Sequence, residues 1–187
     1  RWTPLHTAAA GGHVATCAAL LDGGALADAC SLEGNRPLHY LVRSPALRPA
    51  PASPAAALLD RLLRAGGGRA VNAQGESALH KAALSGTPET ARLLLAGSAD
   101  VNQRTGHGET ALHYSVRAGR PALVALLLEA GADPEIAGCQ GTPAQVAVAE
   151  ARTEALELLH AAAAAARRRS ADDGPTACDR YGFPADA

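Results

Sequence analysis

Seven histidines are the side chains in this 187-residue sequence best suited to binding a metal or moving a proton near neutral pH. Four of them end a recurring tetrapeptide: Thr3-Pro4-Leu5-His6, Arg36-Pro37-Leu38-His39, Ser77-Ala78-Leu79-His80 and Thr110-Ala111-Leu112-His113. A fifth copy, Thr142-Pro143-Ala144-Gln145, has glutamine in the histidine position. A zinc site needs several ligands converging on one point. These imidazoles come one per unit along the chain, which speaks against a shared metal. His13 follows a glycine after the first unit's opening segment and reads as structural. His107 and His160 have no carboxylate or cysteine at a ligand spacing.

Other chemistry is equally sparse. No Ser/His/Asp or Cys/His arrangement stands out. Glu154 and Glu157 lie three apart on a helical pattern, which marks a solvated face. Gly66-Gly67-Gly68 is not followed by the Gly-Lys-Ser/Thr of a phosphate loop. Cys17, Cys30, Cys139 and Cys178 have no C-x-x-C spacing, which speaks against a disulfide framework and for a reducing, intracellular setting, cytoplasmic or nuclear. The reading is a non-enzymatic chain with no cofactor and no metal. The formal net charge is −1 with both signs spread along the sequence, which argues against nucleic acid as the partner. No stretch is long and apolar enough to span a membrane.

What positions the tetrapeptides is a repeat. The steps between their first residues are 33, 41, 33 and 32, a period that means stacked helical units, a solenoid without a single globular core. Thr3 suits an N-cap and Pro4 the first helical position. Ala8 and Ala9 let a neighbouring helix come close, and Cys17, Leu20 and Leu21 make one apolar face of a second helix. The same offsets bring Ala91, Leu94 and Leu95, then Val124, Leu127 and Leu128. Burial between repeats is expected for Leu94, Leu95, Leu127 and Leu128. An aromatic content of 3% fits such a stack of Ala and Leu.

These features resemble the ankyrin repeat over about residues 1–166, in repeats near 1–33, 34–74, 75–107, 108–140 and 141–166. The resemblance implies an all-α solenoid of stacked antiparallel helix pairs with short β-hairpin fingers. Helix pairs are expected near 4–11 and 14–22, 37–43 and 56–64, 78–85 and 88–96, 111–118 and 121–130, and 143–150 and 153–167. Residues 167–187 read as a polar, disordered tail or linker. The family resemblance makes the tetrapeptide histidine structural, bonded to the neighbouring Thr and to finger backbone. It implies a monomeric module that binds a protein partner through a concave face of fingers and first helices. Carried over position by position, the contact residues are Glu33, Asn35, Arg43 and Ser44; Gln74, Glu76, Leu84 and Ser85; His107, Glu109, Arg117 and Ala118; and Gln140, Ala149 and Glu150. Glu76, His107, Glu109 and Arg117 are expected to form one patch, with Glu109 and Arg117 exposed. The string around Asp100-Val101-Asn102 resembles the context in which ankyrin arrays are hydroxylated on asparagine, which makes Asn102 a modification candidate.

Three segments depart from the period. Repeat two carries an excess of eight residues between its helices, rich in proline over 45–54, expected to be an exposed loop of little energetic weight. The Gly66-Gly67-Gly68 run reads as a flexible finger. The tail holds Arg167-Arg168-Arg169-Ser170, in which Ser170 is a candidate phosphorylation site, and Cys178-Asp179-Arg180-Tyr181-Gly182-Phe183-Pro184. The latter resembles the lead-in to the TBC domain of Rab GTPase-activating proteins, which implies a regulatory arm of such an enzyme. The start at Arg1-Trp2, directly before a tetrapeptide and without methionine, reads as a fragment of a longer protein.

Overall fold

The structure, a computed structural model, describes residues 1–44, 47, 50, 53–97 and 99–172, the last seven by backbone alone. The string at 178–184 lies outside the described residues.

Five helix pairs stack along one direction. The first helices are α1 (Pro4–Gly11), α3 (Pro37–Leu41), α5 (Ala78–Ser85), α7 (Ala111–Arg117) and α9 (Pro143–Ala149). The second helices are α2 (Val14–Asp22), α4 (Pro54–Leu62), α6 (Pro88–Ala96), α8 (Pro121–Glu129) and α10 (Thr153–Asp172). First helices touch first helices of adjacent repeats, and second helices touch second helices, so the stack has two layers. Among the described residues proline opens six of the ten α-helices, where its missing amide proton costs nothing. The core is a continuous run of Leu and Ala between the layers, including Leu5, Leu38, Leu79, Leu94, Leu112, Leu127 and Leu159.

Between repeats, each hairpin-like finger closes by a backbone bond: Ser31 N–H to Asn35 at 2.8 Å, Asn72 to Glu76 at 2.9 Å and Thr105 to Glu109 at 2.9 Å. The turn in each needs a left-handed residue, supplied by Gly34, Gly75 and Gly108 at φ +75 to +78°. Neighbouring fingers join edge to edge, with Ala73 N–H on Glu33 O, Gly106 on Gln74 and Cys139 on His107, at 2.8–3.0 Å. Antiparallel pairing among the described residues stops at the single pairs Val71–Ser77 and Gly138–Gly141, so the fingers are turns with minimal ladder.

Several expectations need correction. Helix α3 ends two residues earlier than its pattern suggests, and α4 starts two earlier, at a proline capped by Ser53, whose hydroxyl accepts from Ala56 N–H at 3.2 Å. Helix α10 runs to Asp172, past Ser170, because alanine and arginine are strong helix formers. The side chain of Ser170 lies outside the described residues.

The proline-rich segment is not uniformly exposed. Leu47 is 1% exposed and belongs to the core, with its amide on Ser44 O at 3.1 Å. Hydrophobic burial pins that part of the insertion in place. Nor is the triple glycine a loose finger. Gly66, at φ +91°, and Gly67 end a π-helical turn, Leu63–Gly67, and Gly68 caps it. Gly67 and Gly68 are buried, and a Cβ on them would lie 2.7 Å from Leu38 and 2.8 Å from Gly97 O. These glycines permit close packing.

Of the four leucines expected in the core, Leu94 and Leu127 are fully buried, while Leu95 and Leu128 are only partly so. One residue along a helix turns a side chain by about 100°, which carries Leu95 and Leu128 toward the rim of the apolar stripe.

Candidate partner-binding face

The tetrapeptide histidines form a ladder that holds the fingers to the first helices. His6, His39, His80 and His113 are all at most 1% exposed. In each, Nδ1 accepts the backbone N–H of the N-cap residue, at 3.0–3.1 Å from Thr3, Arg36, Ser77 and Thr110. Nε2 lies 3.1–3.2 Å from a carbonyl of the next finger: Asn35, Glu76, Glu109 and Gly141. An amide can only donate and a carbonyl can only accept, so the ring is neutral with its proton on Nε2. Where the N-cap is Thr3, Ser77 or Thr110, its hydroxyl also lies 2.8–3.0 Å from Nδ1 of this ring, within a capping box. Burial lowers the pKa of His39 to about 4, and it lowers those of His80 and His113 as well. Gln145 keeps the half of the role internal to its repeat, taking Thr142 N–H at 2.9 Å.

A second network crosses the fingers. Asn72 Nδ2 reaches Asn35 Oδ1 at 3.0 Å and Glu76 Oε2 at 2.8 Å, while Asn72 Oδ1 takes the Gln74 and Glu76 amides. Glu76 is ion-paired to Lys81 and accepts the Tyr114 hydroxyl at 2.9 Å across the repeat boundary. Burial by itself would raise the Glu76 carboxyl, but hydrogen bonds from Lys81, Asn72 and Tyr114 outweigh it and hold the group near about 2. The Tyr114 hydroxyl is pushed up by burial and by Glu76. Its ring stacks edge-on against His80 and lies 5.8 Å from the Arg117 guanidinium carbon. Arg117 grips Glu109 through both guanidinium nitrogens and also reaches Gln140 Oε1 at 3.0 Å. Burial opposes ionisation of Glu109, and Arg117 more than offsets it, so the carboxyl stays below its ordinary range.

This separates the candidate contact residues into two groups. Asn35 and Glu109 are buried, at 5% and 6% exposure, and Ser44 is buried too. Glu76 and Arg117 are mostly covered and paired. Glu76, Glu109 and Arg117 belong to an internal network, in which Glu76 accepts from Tyr114, the Tyr114 ring neighbours Arg117, and Arg117 bonds Glu109 and Gln140, because a carboxylate facing the stack needs a local cation. His107 takes the Cys139 amide on its backbone carbonyl in the finger pairing, and its side chain is exposed. Exposed on the same face are Glu33, Arg43, Gln74, Leu84, Ser85, Gln140, Ala149 and Glu150, with Ala118 half-buried. Glu33 receives a bond from Asn35 at 2.9 Å.

Residues missed by sequence reasoning are Tyr40, Lys81 and Tyr114, each directly after a tetrapeptide histidine, and Asn72. Helical spacing was the available signal, since Tyr40, Lys81 and Tyr114 precede Arg43, Leu84 and Arg117 by three. Tyr40 packs edge-on against Trp2 at 4.8 Å between ring centroids. With Ala10, Arg43, Ser44 and Ser85 it lines a pocket of about 320 Å³ across repeats one to three. A larger cavity of about 510 Å³, at Gly68, Arg69, Ser77, Ala99, Asp100 and Gln103, lies at the turns of repeats two and three.

Asn102 sits at another repeat junction. Its side-chain oxygen accepts Asp133 N–H at 2.9 Å, and its Nδ2 donates to Gly131 O at 3.4 Å. Among the described residues no cluster could hold a metal ion, and no helix is long and apolar enough to cross a membrane.

Comparison with known families agrees with the geometry. A model of three ankyrin repeats matches residues 52–138, and a single ankyrin repeat matches residues 1–32. The chain belongs to the ankyrin repeat family. Ankyrin repeats are generally protein–protein interaction modules. No curated protein matches the chain.

Proposed function

We propose that this chain is a non-catalytic binding module, a scaffold or targeting arm, that takes a protein partner on the face formed by its fingers and first helices. The observation that carries this reading is the division of labour on that face. Buried charges are satisfied internally and hold the surface rigid, while Glu33, Arg43, Gln74, Leu84, Ser85, His107, Gln140 and Glu150 stand outside that network or at its rim. A rigid surface with a varied exposed layer loses little entropy on binding and leaves specificity to those side chains.

The test begins with a partner isolated on the immobilised chain and confirmed with purified components. Gln74→Ala and His107→Ala should weaken binding without changing the melting temperature. Arg92→Ala and Glu129→Ala, exposed on the second helices, should leave affinity unchanged. The opposite pattern would assign binding to the other layer.

A further inference from the structure

Repeats two and four place an arginine at one equivalent position, four residues after the tetrapeptide histidine: Arg43 after His39 and Arg117 after His113. In repeat four the array itself supplies what this arginine takes. Arg117 holds the carboxylate of Glu109, eight residues earlier, in a two-nitrogen grip. In repeat two the residue eight positions before Arg43 is Asn35. That amide is neutral, buried, and already engaged by Glu33, Tyr40 and Asn72. Arg43 is exposed, and among the described residues no acidic group pairs with it. It stands on the wall of the 320 Å³ pocket with Ala10, Tyr40 and Ser85.

We propose that Arg43 and this pocket are the anchor subsite of the partner-binding face, and that the occupant is an acidic peptide segment whose Asp or Glu side chain takes the place Glu109 fills in repeat four. This rests on the partner-binding reading above. Charge complementarity commits the site to a carboxylate, since guanidinium and carboxylate match in a planar, two-bond fork. Tyr40 and Ala10 line the remaining space, so an apolar residue beside the acid fills it. Neighbouring positions do not offer the same site. Leu84 replaces the arginine in repeat three, and Arg117 is occupied in repeat four.

The test pans a phage-displayed library of random peptides against the whole 187-residue chain and remakes the enriched sequences, chosen without tryptophan, as synthetic peptides. Trp2 is the sole tryptophan and packs on Tyr40, so its emission reports occupancy of the pocket. Enriched peptides should share an Asp or Glu next to an apolar residue and should change Trp2 emission on binding. Arg43→Glu should weaken them about tenfold or more, Arg43→Lys less. Amidating the acid, Glu to Gln in the peptide, should cost a similar factor in the native chain and little in the Arg43→Glu chain. Arg43→Gln provides a second variant if the charge reversal lowers the melting temperature. Failure to enrich any peptide, enriched peptides without an acid, a requirement for a phosphate or a free C-terminal carboxylate, or affinity indifferent to both Arg43→Glu and Arg43→Gln would each overturn the proposal. If Gln74→Ala and His107→Ala still weaken binding while Arg43 does not matter, the binding face stands and this subsite falls. If only second-helix substitutions matter, both fall.

Discussion

His80 Nε2 lies 3.2 Å from the backbone carbonyl of Glu109, while Nδ1 of the same ring accepts the Ser77 amide at 3.1 Å. Only the neutral ring with its proton on Nε2 makes both bonds. Protonating Nδ1 would set two donors against each other inside the stack.

Stability should therefore depend on pH with a defined sign. The folded pKa of His39 is lowered by burial from 6.5 to about 4, and those of His80 and His113 are lowered too. Below pH 6.5 the unfolded chain takes up protons that the folded chain refuses. The contribution is full above that pH and is lost as pH falls toward 4. For His39 alone the loss is about 3 kcal/mol. Glu76, lowered to about 2, adds a second loss in the same direction below its ordinary 4.5. Thermal melts should be flat above neutrality and fall steadily from pH 6.5 to 4. A melting temperature that holds or rises on acidification would contradict the neutral ladder.

Breaking the Arg117–Glu109 pair should cost stability, contrary to what two exposed charges would do. Arg117→Ala leaves a buried carboxylate without its cation. The expected loss is on the order of 2 kcal/mol, less than for a fully buried pair because Arg117 is about a third exposed. The Arg117→Ala, Glu109→Gln double variant should lose less than the two single variants added together. Urea denaturation of the cycle measures this, and strict additivity would show the two groups to be independent.

Much of this fold is legible in the sequence because each unit repeats the same local chemistry. Pro4, Pro37 and Pro143 mark helix starts, and His6 to His113 mark the finger attachments. What the sequence hides is pairing across repeats. Nothing in the spacing of Glu76 and Tyr114, 38 residues apart, announces their bond. The place of Glu109 beside a finger turn suggests exposure, yet finger stacking covers it, as it covers the candidate contact residue Asn35. The insertion misled in the other direction. Its prolines suggest an extended loop, whereas one leucine among them decides whether the loop is anchored.

Asn102 is proposed as a hydroxylation site, and its bonds set the condition. Both ends of its amide are held by the turn at Gly131–Asp133, so an asparaginyl hydroxylase must act when that turn opens. Mass spectrometry should find an added oxygen on Asn102 in a peptide spanning the site before it appears in the folded chain. Absence of the modification from both would remove the site. Asn102→Ala should cost about 1 kcal/mol through the lost bonds.

Leucine truncations separate the apolar stripe from its rim. Leu94→Ala and Leu127→Ala should each cost about 2–5 kcal/mol, and Leu95→Ala and Leu128→Ala clearly less. Leu47 provides the sharper test, because its setting runs against the appearance of its segment. It is only 1% exposed in a segment rich in proline, so Leu47→Ala should cost as much as a core leucine. Replacing residues 45–52 with a short polar connection that omits it should lower the melting temperature. Trimming that keeps the leucine and its register to Ser44 should do little, since loop length by itself is cheap. If the short connection is neutral or stabilising, Leu47 contributes nothing to the stack, and the insertion is an exposed loop after all.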